Sequence, residues 1–146
     1  MFNYQHILIA SDSCEVDNKV LQRALLLQKL CQAKISVIHV LEHVPVDIPA
    51  AVAPPEGEDK VEWMKQMAVE KLSENCSTLA LAVEQLIVET GLVKPAVIET
   101  AKNLEIDLII VGAHERHGLA LLTGSITDGV IHASPCDVLA VHSEKA

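Results

Sequence analysis

Aromatic residues are nearly absent from this chain: Phe2, Tyr4 and Trp63 are the only three in 146 residues. Any core must therefore be built from Val, Ile, Leu and Ala. Half of the residues are hydrophobic, which at this length suffices for one sizeable core. Positive charge is also scarce. Eleven Lys and Arg stand against twenty Asp and Glu, a formal net charge of −9. That balance argues against a nucleic-acid partner, which calls for a basic face, but leaves room for a small anionic ligand held by local backbone amides. The four cysteines, Cys14, Cys31, Cys76 and Cys136, are scattered without a CxxC pair. Such spacing reads as free thiols in a reducing compartment. No stretch stays apolar for the ~20 residues of a membrane span, so no membrane partner is expected. The opening MFNYQHILIASD lacks the basic start and long apolar core of a signal peptide. These absences predict a soluble cytoplasmic protein.

What is present is an alternation of strand and helix patterns. The run Ile7-Leu8-Ile9-Ala10 is short and ends in Ser11-Asp12-Ser13, a buried strand entering a turn. From Val16 the apolar residues recur at helical spacing through Val20, Ala24, Leu27 and Cys31, with Leu21, Leu25 and Leu26 widening the stripe into a buried face. Glu15 and Asp17 suit the positive end of that helix. A β-branched strand follows over 35–41. Between 42 and 59 the pattern fails at Pro45, Pro49, Pro54, Pro55 and Gly57, which predicts a long loop. A second helix is expected over 60–79, with Met64, Met67, Val69 and Leu72 among its apolar positions. The third strand is placed at 84–89, where Leu86 and Val88 share a face. A third helix carries Pro95 in its first turn and runs to Asn103. The fourth strand lies at 108–111, a last helix at 124–132, and the fifth strand at 138–141, beyond Pro135. Five strands alternating with four helices predict an α/β fold, a parallel sheet covered on both faces. No internal repeat, low-complexity tract or second domain is visible.

The stretch from Leu108 to Val141 carries the most chemistry. Its strand runs into Gly112, then a polar loop, then Gly124-Ser125 at the start of a helix. Glycines after a strand let backbone approach a ligand closely, and free amides at a helix start attract anions. The same glycines also serve as plain tight turns. Asp12 has a second reading as a helix cap. His114 and His117 flank Arg116, but two ligands are too few for zinc and no Cys or further His lies at ligand spacing, so no metal site is expected. His39 sits inside an apolar strand as a hydrogen-bonded core histidine. Cys14, near the Asp12 turn, has the position of a thiol at a helix start. No Ser-His-Asp or Cys-His set can be assembled from these motifs, and no catalytic residue is assigned. A receiver-type phospho-acceptor role for Asp12 lacks the paired acidic residues and the late Lys that it requires.

Four blocks taken together are specific: HILIASD in the first strand, AKISVIHV in the second, DLIIVGAHERHGLALLTGS near the end and CDVLAVHS in the last strand. In order and spacing they resemble the universal stress proteins, over nearly the whole chain. The resemblance implies one such domain over 1–146. It also implies a doubly wound, Rossmann-like five-stranded parallel sheet of order 3-2-1-4-5, with helices on both faces and its order reversing between the first and fourth strands. Nucleotide-binding members hold phosphates on a motif G-x2-G-x9-G-[S/T], with an Asp ending the first strand and a Val ending the second. Asp12, beside Ser11, and Val40 match the latter pair; Gly112, Gly124 and Ser125 match the first glycine and the closing Gly-Ser. Glu115 replaces the second glycine and the spacer is eight residues long, which looks like the A-type branch, some of whose members do not bind ATP.

Two functional readings follow. In the first, the chain is a cytoplasmic, homodimeric stress-resistance factor without robust catalysis. In the second it is an ATP-binding switch, with Mg²⁺ beside the phosphates and at most slow hydrolysis. The homodimer would form through the last strand, Asp137, Val138, Leu139, Ala140 and Val141. That strand lies at a sheet edge in the implied order and lacks the central Lys or Pro that would blunt it.

Overall fold

The computed structural model describes residues 3–11, 16–42, 56–113 and 126–142. Along the chain come β1 (His6–Ser11), α1 (Asn18–Cys31), β2 (Lys34–Leu41), α2 (Lys60–Ser77), β3 (Gln85–Thr90), α3 (Val93–Asn103), β4 (Leu108–Ala113), α4 (Ile126–Ala133) and β5 (Asp137–His142). The five strands form one sheet in the order β3-β2-β1-β4-β5, and every pairing is parallel. The predicted order and class are both present. Of the expected loop over 42–59, residues 43–55 lie outside the described residues.

Because side chains alternate along a strand, each central strand supplies two cores. Ile7 and Ile9, Ile35 and Val37, and Leu108 and Ile110 face α1 and α2, where they meet Val20, Leu21, Ala24, Ala68 and Leu72. Leu8 and Ala10, Ile38 and Val40, and Ile109 and Val111 face α3 and α4, packing with Val93, Val97, Ala101 and Val130. Ile7, Leu8, Ile9, Ile109 and Ile110 are wholly buried. A side chain of this size contributes ~1.5–3 kcal/mol when removed from water, so double-sided burial of β1 and β4 outweighs any local propensity in fixing the sheet.

Helix ends follow local chemistry. Asp17 caps α1 by accepting the Lys19 amide at 2.8 Å; Asp12, read as capping or preceding that helix, lies outside the described residues. Asp59 caps α2 by accepting the amides of Val61 and Glu62 at 2.9 and 3.1 Å. The expected buried face of α1 needs one correction. Val20, Leu21 and Ala24 are buried, but Leu26 is 51% exposed. At 100° per residue Leu26 falls on the stripe of Lys19, Arg23 and Leu30, which points away from the sheet. Met67 of α2 is half-exposed for the same reason, the buried positions being Ala68, Leu72 and Cys76.

The amino end of the sheet is closed by a polar bracket. The Asp107 carboxylate accepts the amides of Gln5 at 2.8 Å and His6 at 3.1 Å, while the Asp107 amide donates to the His6 carbonyl at 3.0 Å. The His6 ring lies between the Leu104 carbonyl, 3.2 Å from Nδ1, and Ser36 Oγ, 2.7 Å from Nε2. A carbonyl can only accept, so Nδ1 carries the proton and, in the neutral ring, Nε2 accepts from Ser36. The amides and carbonyls of Gln5 and His6 and the His6 ring are thereby all engaged at the amino end of β1.

Candidate functional site

At the carboxyl ends of the strands the sheet brings Ser11 and Gly112 to one level, with Val40 one step beyond it on β2. Ser11 closes β1 opposite His39 of β2. The β1–β4 register runs through Ala10 opposite Val111, so the next step sets Ser11 beside Gly112, which in turn faces Val141 of β5. His39 continues the row outward to Val88 of β3. The resulting row, Val88, His39, Ser11, Gly112 and Val141, lies on the α1/α2 face. Ser11 and His39 are its buried polar members, 8% and 7% exposed.

The row is polar for a reason. His39 Nδ1 lies 3.1 Å from the Ser11 carbonyl oxygen; the carbonyl accepts, so the ring donates from Nδ1. Gly112 adds no side chain, so at that point the row presents backbone. Val40 is one step along β2 and turns to the other face, where it is buried with Ala10, Ile38 and Val111. Its side chain belongs to the α3/α4 core, and what it can offer a ligand is the strand end itself.

Asp12, Gly124 and Ser125 lie outside the described residues, as do Cys14, His114, Glu115, Arg116 and His117. The helix α4 begins at Ile126, directly after the Gly124-Ser125 pair in the sequence. In its first turn Asp128 carries the acidic charge that helix starts favour, and Asp128 Oδ1 lies 3.3 Å from His132 Nε2. Among the described residues no group of three His, Cys, Asp or Glu side chains is arranged to hold a metal ion. Cys31, Cys76 and Cys136 are free. Burial pushes the Cys76 thiol up from its ordinary pKa. Burial likewise raises Cys136, partly offset by its contact with the Ser134 hydroxyl. Neither is a poised nucleophile. Sequence reasoning expected a hydrogen-bonded core histidine at position 39, and that is what stands there. Its partner could not be foreseen, because the Ser11 carbonyl is set by register and not by proximity in the chain.

The universal stress protein family model matches residues 3–142. The chain belongs to the universal stress protein family. Universal stress protein A homolog 1 of Coxiella burnetii is 37% identical over 139 residues, covering 95% of this chain and 96% of that protein. Among solved structures, a universal stress protein in complex with cAMP superposes with a TM-score of 0.67 at 18% identity, covering 98% of this chain and all of that one. The universal stress protein of Archaeoglobus fulgidus in complex with dAMP does so with a TM-score of 0.55 at 17% identity, covering 96% and 99% of the two chains. At such identities the structural likeness speaks for the fold, and the universal stress protein sheet order is the one found here. None of the helices among the described residues is long and apolar enough to cross a membrane.

Proposed function

We propose that this universal stress protein binds an adenine nucleotide at the carboxyl ends of β1 and β4, and acts through ligand-dependent contacts with other proteins in place of rapid turnover. The observation that carries the reading is the switch point. β1 and β4 are parallel neighbours at the centre of the sheet. The chain leaves β1 for α1 on one face and β4 for α4 on the other, which opens a crevice where open α/β sheets take their ligands. Relatives of the same fold have been solved with cAMP and with dAMP.

In this reading Ser11, Asp12 and the end of β2 at Val40 hold the nucleoside. Gly112, Gly124 and Ser125 hold the phosphates through amides and a hydroxyl, with ATP accompanied by Mg²⁺ as one form of the ligand. The protein is a cytoplasmic homodimer joined through β5, with one domain spanning 1–146. No catalytic set is assigned.

The test is calorimetry with ATP, AMP and cAMP, with and without Mg²⁺, after the purified protein has been checked for retained adenine nucleotide. Sub-millimolar binding that is lost in Gly124→Val supports the reading. Absence of binding to all three nucleotides at millimolar concentration overturns it and leaves a stress-resistance factor that works without nucleotide. Glu115 bears on that outcome, since a carboxylate beside phosphates repels them. Glu115→Gly should tighten nucleotide binding and Glu115→Gln should recover part of the gain. Rapid hydrolysis dependent on Gly112 or Ser125 would instead make the protein an enzyme.

A further inference from the structure

We propose that His39 is a positioning residue for the nucleotide, a role that rests on the nucleotide-binding reading above. The residue is 7% exposed in a strand whose neighbours Val37 and Val40 are wholly or nearly buried. An imidazole in such a place costs free energy unless its polar atoms are used, and an aliphatic side chain would satisfy the core better. The use it finds is the Ser11 carbonyl, 3.1 Å from Nδ1.

That carbonyl belongs to the last residue of β1. Its peptide unit is planar, so holding the oxygen fixes the orientation of the plane that ends β1 at Ser11. His39 therefore fixes Ser11, at the mouth of the proposed site, without touching the ligand. The other histidine on these two strands makes the contrast plain. The His6 ring is taken up by Leu104 and Ser36 at the amino end, where it closes the structure, whereas His39 acts at the end where the crevice opens.

The test compares His39→Asn, His39→Gln and His39→Leu with the wild type, measuring Kd for AMP and for ATP with Mg²⁺ by calorimetry alongside the melting temperature. Asn places an amide donor where Nδ1 stands. Gln carries its amide one carbon further, and Leu, close to Asn in size, has no donor. The Asn variant should bind within about threefold of wild type, and the Gln and Leu variants about tenfold or more weaker, the order of one lost hydrogen bond. Nitrogen-15 NMR of the free protein should show the His39 ring as the Nδ1–H tautomer. If Leu does not melt cooperatively, the Asn and Gln pair decides alone. Equal affinity in Asn and Gln, wild-type affinity in a folded Leu variant, or an Nε2–H tautomer overturns the role of His39 while nucleotide binding stands. A wild type that binds neither nucleotide removes both.

Discussion

Asp107 shows how much one side chain can organise. Its carboxylate gathers two amides from the residues that start β1, and its own amide returns a bond to His6. Hydrogen bonds to a charged acceptor are worth more than neutral ones, but the Gln5 amide is exposed, which discounts its share. Asp107→Ala should therefore cost roughly 1–2 kcal/mol, read as a lower urea midpoint at unchanged slope, with Asp107→Asn losing less. Cys76 gives a pH signature. Burial raises its pKa in the fold, so the fold favours the neutral thiol. This contribution is complete below the ordinary thiol pKa of ~8.5 and is lost as pH rises toward the higher folded value. Urea midpoints at neutral pH and near pH 9.5 should fall less steeply for Cys76→Ala than for the wild type, even though the variant starts lower. In the native protein at neutral pH, mass-mapped alkylation should reach half-buried Cys31 before Cys76.

Among the helices, α4 carries Gly129, whose φ is not in the left-handed region, and a Cβ added there would meet Lys94 Cδ of α3 at 3.3 Å. Lys94 is exposed and its stem can shift by the few tenths of an ångström required. The helix gain then wins: Gly129→Ala should stabilise by roughly 0.5–1 kcal/mol, seen as a higher melting temperature. A lower one would mean that the Lys94 stem is held. Element identity was legible throughout because the apolar periods of 2 and 3.6 reflect real faces. The expected strand at 108–111 is β4, which extends to Ala113 because β5 pairs along that length. The expected strand at 84–89 is β3, shifted one residue to Gln85–Thr90. Sequence alone erred at Leu26, where a row of leucines hid which of them the helix turns outward. At the candidate site, Ser11 and Gly112 were legible at the close of apolar runs and Val40 through the family resemblance, while β2 runs on to Leu41 and β4 to Ala113. The tie between His39 and Ser11 was not legible, since only pairing of β1 with β2 brings residues 28 positions apart into contact.

At the scale of the whole molecule, β5 stands at the sheet edge, with Leu139 packed toward the α1/α2 core and Val138 toward the other. Ala140, between Leu139 and Val141, is exposed. An edge of this kind offers backbone groups to a second copy. Light scattering at micromolar concentration should give a dimer for the wild type, and Leu139→Pro should shift it toward monomer or aggregate. A monomeric wild type would remove β5 pairing from the proposal. The strand order also bears on how the protein is made. The first strand synthesised, β1, is the middle of the finished sheet, and the partner on its far side, β4, begins at Leu108, 101 residues after Ile7. At about 5–20 residues per second of translation, the far edge of β1 waits roughly 5–20 s for that partner. During that wait the aliphatic edge of residues 7–10 has no β4 to pair with, so shielding that edge during synthesis should raise the yield of folded protein.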